Sequence, residues 1–230
     1  MPTILVFDLD GTLIDSGPDM HRAVVRMLAE HGLPPLSLAE VTAMVGDGSA
    51  KLLARAFAKA GHPLDRDLPA LPRFMEIYEA CVADLTRPFR GVPETLALLQ
   101  DAGHRMAICT NKPDRATRQV LEALSLLRHF EVIVGGDSAP ARKPDARHLL
   151  AVLERLEATA GDAVMIGDGA NDLLTAAAAG VPVIHACYGY GLREPVAVEP
   201  LATIERFDEL PEALRLLERE PRSRFFDPEA

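Results

Sequence analysis

Residues 163–189 read AVMIGDGANDLLTAAAAGVPVIHACYG. AVMIGDG is a short apolar run closed by turn residues, NDLLTAAAAG a helix stopped by glycine, and VPVIHACYG a second apolar run. The same texture extends back to Arg90. PETLALLQDAG (93–103) predicts a helix, HRMAICTN (104–111) a strand and DRATRQVLEAL (114–124) a helix. FEVIVGG (130–136) then predicts a strand and PDARHLLAVLERLEA (144–158) a helix. Strands of this apolar, β-branched kind alternating with helices mean a parallel sheet covered on both faces. TILVFDLD (3–10) belongs to that sheet, since a lone strand has nothing to pair with.

Between this first strand and the alternating region the texture is helical. DMHRAVVRMLAEHG (19–32), SLAEVTAMVG (37–46), SAKLLARAFAKAG (49–61) and LPRFMEIYEACVADL (71–85) all read as helices. Ser37, with Glu40 three residues on, has capping-box spacing, and no convincing strand lies between Ser16 and Arg87. The predicted architecture is α/β: a three-layer, Rossmann-like parallel-sheet core from 1–15 and 88–220, with a helical unit inserted at 16–87. The charged, proline-bearing residues 221–230 are expected to be loosely ordered, with Phe225 and Phe226 able to dock.

Composition excludes several classes. A formal net charge of -10 argues against nucleic-acid or anionic-membrane binding, which need a clustered basic surface. Cys81, Cys109 and Cys187 lie far apart without a CxxC, so buried reduced thiols are expected rather than disulfides or zinc. No basic-then-apolar leader and no span-length apolar run is present, and a soluble cytoplasmic protein is expected. The histidines, His148 among them, lack metal-ligand spacing and read as surface or packing residues. Oligomeric state, monomer or homodimer, is not readable.

Ligands of open parallel sheets bind at the carboxyl ends of the strands. There the sequence places Asp8, Asp10 and Thr12; Thr110, Asn111 and Lys112; Lys143 before a proline; and Asp168, Asn171 and Asp172. Any one of these reads equally well as a helix cap, a turn former or a solvated lysine. Carboxylates at equivalent strand ends, however, repel one another unless a cation joins them. Hard oxygen ligands with room for water and phosphate suit Mg²⁺. A carboxylate beside such an ion can attack a phosphoryl group, and a second carboxylate two residues on can protonate the leaving oxygen and then activate water. A threonine hydroxyl, a lysine and backbone amides at Leu9 and Asn111 would hold the phosphoryl oxygens.

DLDGT, TN, the lysine of RKPD and GDGAND, in this order, resemble the haloacid dehalogenase superfamily from Thr3 to about Gly189. The resemblance implies Asp8 as nucleophile, Asp10 as acid/base, and Thr110 and Lys143 as phosphate holders. It also implies Mg²⁺ on Asp8, the Asp10 carbonyl and Asp168, supported by Asp172. Asp10 favours phosphatase or phosphomutase chemistry over dehalogenation, and the helical insert corresponds to a cap over the rim.

Within the superfamily VGDGSAKLLARAF, ICTNKP and the late YGYG most resemble phosphoglycolate phosphatases, making a small phosphorylated metabolite, 2-phosphoglycolate first, the expected substrate. In VGDGSAK (45–51) Gly46 permits a turn before a helix N-terminus that could meet a substrate carboxylate, with Lys51 or Arg55 as counter-charge. A plain helix connection with a solvated lysine fits the same residues. A sugar-phosphate phosphatase, a β-phosphoglucomutase-like mutase and a phospho-signalling module share parts of the pattern. Asp10 favours turnover over a lasting phosphoryl mark.

Overall fold

The computed structural model describes residues 3–63, 70–192 and 195–219, with side chains as far as 215. In β1 (Ile4–Phe7), Leu5 and Phe7 enter one apolar cluster while Ile4 and Val6 enter another. This is the period-two signature of a strand covered on both faces. The chain then forms one arm of a short antiparallel ribbon, β2 (Ile14–Asp15), whose other arm, β3 (Arg87–Pro88), comes more than seventy residues later. Two strands, β4 (Arg105–Cys109) and β6 (Ala163–Gly167), flank β1 in parallel, and β5 (Val132–Val134) lies outside β4. Beyond β6 come β7 (Val183–Ala186) and β8 (Ala202–Ile204), also parallel.

The order β5-β4-β1-β6-β7-β8 means that the chain winds outward from β1 to one edge, then returns to build the other. The crevice where the winding reverses lies at the carboxyl end of β1, between β4 and β6, which is where such sheets bind ligands. Register sharpens this. Phe7 is level with Ile108 and Ile166, so Asp8, Thr110 and Asp168 emerge within one residue of the same height.

Four helices, α1 (Gly17–Glu30), α2 (Leu38–Thr42), α3 (Ser49–Lys59) and α4 (Leu71–Glu79), lie between the ribbon's arms. Ser37 and Glu40 make the full capping box at the start of α2. On the Leu5/Phe7 face the sheet is covered by α5 (Val92–Asp101), α6 (Asp114–Ala123) and α9 (Leu210–Arg219). The opposite face carries α7 (Ala146–Arg155) and α8 (Ala170–Ala178) through Leu149, Val152, Leu173 and Ala176. Each fully buried Leu, Ile or Val contributes about 1.5–3 kcal/mol. The inserted helices join the first of these clusters through Val24, Leu53, Phe57 and Phe74.

Three features differ from the sequence reading. The ribbon was not anticipated, because a two-residue arm shows no period. Strand β8 and helix α9 were likewise unread. Cys187 is exposed and Cys81 half-buried, so only Cys109 fits the expected buried thiol; Cys187 sits past the end of β7, where its Sγ donates to the Ile204 carbonyl. The tail expectation for 221–230, with Phe225 and Phe226, lies outside the described residues.

Where the insert rejoins the sheet, Asp19 in the first turn of α1 is fully buried. Its carboxylate accepts from the Leu85 amide (2.9 Å), the Thr86 amide (2.8 Å) and the Thr86 hydroxyl (2.8 Å). Asp19→Ala strips these donors of their acceptor and is expected to cost about 2–4 kcal/mol. Urea unfolding measures it; a cost below about 0.5 kcal/mol would contradict this account.

Candidate active site

At the end of β1 the chain turns through Gly11, whose φ of 91° favours glycine and whose missing Cβ makes room for the Asp168 carboxylate. Thr12 Oγ1 donates to Asp168 Oδ1 (2.9 Å), and the Tyr190 amide donates to Asp168 Oδ2 (2.9 Å). Asp172, in the first turn of α8, accepts from the Gly169 amide (3.0 Å) and from Lys143 Nζ (2.5 Å). Asp8, Asp168 and Asp172 are all buried, and each offers an oxygen within 4.8 Å of the others.

Lys143 supplies the positive charge at this cluster. Its Nζ lies 2.8 Å from Asp8 Oδ1 and its side chain is 1% exposed. Asp8 Oδ1 is buried, with the Lys143 ammonium as its close ionic partner. Burial works against the ammonium, but Asp172 and Asp8 outweigh it and hold the Lys143 pKa above the ordinary value. Burial likewise raises Asp168, with Asp172 and Asp8 adding repulsion. Asp172 is pushed up to about 6 by burial, with Lys143 opposing and Asp8 assisting.

The loop carrying Lys143 is fixed from two sides. Asn111 Oδ1 accepts from the Lys143 amide (3.0 Å) and Asn111 Nδ2 donates to the Lys143 carbonyl (3.1 Å). His148 Nδ1 accepts from the same amide (3.2 Å), while Nε2 donates to the Val134 carbonyl (3.2 Å). Burial first, then Lys143, lowers the His148 pKa to about 4, which keeps that acceptor free of a proton near neutrality. The Asn111 side chain therefore positions Lys143, and its amide nitrogen also reaches the Gly46 carbonyl (3.0 Å).

Asp10 turns away from the carboxylate cluster. It accepts from Ser16 Oγ (2.6 Å) and from Lys112 Nζ at both oxygens (2.9 and 3.2 Å). Lys112 Nζ also donates to the Tyr78 hydroxyl, on α4. A small cavity opens between these groups and the inserted helices. Asp8, Asp10, Thr110, Lys112, Tyr78 and Gly46 line it. A second, larger cavity is lined by Asp8, Asp10, Asp168, Asp172, Gly46 and Tyr190. Asp8 and Asp10 thus border both.

The positions expected from sequence are distributed unevenly. Asp8, Asp168, Asp172 and Lys143 meet in one cluster, Asp10 and Thr110 border the smaller cavity, and Gly46 borders both. Lys51 and Arg55 gather instead on Asp47, at 3.7 and 2.5 Å, and line neither cavity. Ser16, Tyr78, Lys112 and Tyr190 have site contacts that sequence reasoning did not assign. Lys112 was visible beside Thr110 and Asn111, whereas Tyr78 looks like any core aromatic on a helix.

Fold and site together define an open parallel α/β protein with an acidic, lysine-balanced centre at the switch point of its sheet. The chain belongs to the haloacid dehalogenase-like hydrolase family, whose sequence model matches residues 5–186. It is 46% identical over 194 residues to a phosphoglycolate phosphatase of Caulobacter vibrioides, covering 84% of this chain and 81% of that protein. A phosphoglycolate phosphatase of Cereibacter sphaeroides is 42% identical over 219 residues, covering 94% and 99%. Among solved structures, that of a predicted phosphoglycolate phosphatase from Haemophilus somnus superposes with a TM-score of 0.85 at 28% identity, covering 93% of this chain and 98% of that one.

Proposed function

We propose that this chain hydrolyses 2-phosphoglycolate to glycolate and phosphate through an aspartyl-phosphate on Asp8. The observation that carries this reading is Asp8 itself: a buried carboxylate that borders both cavities and lies 2.8 Å from the Lys143 ammonium. A carboxylate so placed can meet an incoming phosphorus beside a positive charge. The small cavity favours a compact leaving group, and the named relatives act on one.

In the first step Asp8 attacks phosphorus and the ester P–O bond breaks, with Asp10 giving its proton to the leaving oxygen. In the second step Asp10 takes a proton from the water that attacks the aspartyl-phosphate, which frees phosphate and restores Asp8. Ser16 and Lys112 hold the Asp10 carboxyl in place for both transfers. Lys143 and Thr110 hold the phosphoryl oxygens, where charge develops.

The donor set of Asp8, Asp168 and Asp172, all buried oxygens within 4.8 Å of one another, fits a hard divalent cation. We assign Mg²⁺, held by Asp8, Asp168 and the Asp10 carbonyl and supported by Asp172; when bound it offsets the charge of carboxylates and phosphate. Residues 16–87 act as a cap on a core of 1–15 and 88–220, reading the leaving group while excluding water. The partner is a small cytoplasmic metabolite, and no helix among the described residues is long and apolar enough to cross a membrane.

The test is kcat/KM across phosphate esters, with and without chelator. Preference for 2-phosphoglycolate and loss of turnover in EDTA are expected; turnover that survives thorough chelation would sink the metal assignment. Because Asp172 holds its proton up to about 6, cation binding must displace that proton at lower pH. The Mg²⁺ concentration for half-maximal rate is therefore expected to rise as pH falls through about 6, with Asp168, whose pKa is also raised, steepening the dependence.

A further inference from the structure

The smaller cavity is lined by three charged residues, Asp8, Asp10 and Lys112, and only the last is a cation. Its ammonium is 1% exposed in side-chain terms and is held by Asp10 and by the Tyr78 hydroxyl. An ammonium has three hydrogens to place. The 3.2 Å contact to Asp10 Oδ2 is the longest of its contacts and the readiest to be exchanged for another oxygen. Tyr78 is 2% exposed and accepts from Lys112; among the described residues no acceptor is recorded for its own hydroxyl hydrogen. Burial, then Asp10, raises its pKa well above that of a free phenol, so this hydrogen stays in place as a donor.

The cavity therefore offers two adjacent donors, Nζ and O–H, on the side where Asp10 meets the leaving oxygen. An oxygen within hydrogen-bond reach of Asp10 is close to the nitrogen bonded to Asp10. A carboxylate on the carbon bearing that oxygen is then within reach of both donors, whereas a neutral group there would leave them poorly matched. The N-terminal end of α3, with Gly48 as a cap lacking any side-chain acceptor and Ser49 on the cavity wall, also favours negative charge in this cavity.

We infer that Lys112 Nζ and the Tyr78 hydroxyl form the receptor for a carboxylate on the carbon that carries the leaving oxygen. This rests on the phosphatase reading above and refines it: the donors that select substrate come from the loop after β4, which supplies the charge, and from α4, while Lys51 and Arg55 serve Asp47. Phospho-carboxylates with the acid next to the ester carbon fit the receptor. Neutral esters of the same size do not.

The experiment compares kcat/KM for 2-phosphoglycolate and for 2-hydroxyethyl phosphate in the wild type, Lys112→Met and Tyr78→Phe. The wild type is expected to favour the carboxylate by about 100-fold, Lys112→Met to bring the ratio near one, and Tyr78→Phe to lower it by about tenfold. Lys112 also steadies Asp10, so both rates fall in its variant, and the ratio is the readout that separates the two roles. If both substrates lose equally and the ratio survives in both variants, Lys112 acts only through Asp10 and the receptor is overturned. Should Lys112→Met fail to fold, Tyr78→Phe, which removes one oxygen, decides the matter alone. A wild type that prefers 2-phospholactate or 2-phosphoglycerate, with that preference abolished in the variants, keeps the receptor and overturns 2-phosphoglycolate as substrate. A wild type that prefers the neutral ester overturns both.

Discussion

Asp8→Asn is expected to leave a folded protein whose turnover is reduced by roughly 10⁴-fold or more. The amide keeps the size of the carboxylate but lacks its charge and nucleophilicity, and no other described carboxylate borders both cavities except Asp10, whose oxygens are held by Ser16 and Lys112. Stability is not expected to fall. Asp8, Asp168 and Asp172 crowd within 4.8 Å, and removing one of three like charges relieves repulsion while Lys143 keeps Asp172 as partner. Steady-state kinetics, thermal unfolding and mass spectrometry of the peptide around residue 8 test this together. Activity within tenfold of wild type, or a phosphorylated aspartate at another position, would remove Asp8 from its role.

Lys143→Met is expected to be damaging in both respects. It takes the one ammonium out of contact with Asp8 and Asp172, at 2.8 and 2.5 Å, and leaves buried carboxylates without their partner. Breaking a buried pair from one side typically costs about 3–5 kcal/mol, and losing a donor to the transferring phosphoryl group costs about 10²–10³-fold in rate. The two losses separate in urea unfolding with and without Mg²⁺. A divalent ion supplies positive charge to the same carboxylates, so the stability deficit narrows when it is present, while the rate deficit persists. An unchanged unfolding midpoint in EDTA would show that Lys143 does not balance the cluster.

Much of the fold was legible because its strands and helices carry clean periods, and the site because strand ends of a parallel sheet are a predictable place. Asp8, Thr110 and Asp168 stand there by register, which needs no knowledge of side-chain packing, and Lys143 follows in the loop between β5 and α7. What escaped was whatever depended on distant partners. Lys112 meets Tyr78 across 34 residues and Asp10 across 102, and Tyr190 reaches the Ser16 amide across 174. No local pattern marks those pairs. Lys51 and Arg55, expected as counter-charges for a substrate carboxylate, pair with Asp47, which stands four residues before Lys51 at ordinary helical ion-pair spacing. Strand β8 was missed because three residues, ATI, show too little of any period.

The Gly46 carbonyl accepts from Asn111 Nδ2 (3.0 Å) and Asn171 Nδ2 (3.1 Å), so the helical insert meets the loop after β4 and the first turn of α8 on one oxygen atom. That oxygen is main chain, and φ at Gly46 is 116°, so a side chain there would meet backbone strain before it could alter the contact. Inheritance therefore has uneven access to this junction. Mutation can weaken or retune it through either asparagine, but the acceptor itself is written into the peptide bond and can be moved only by redrawing the loop.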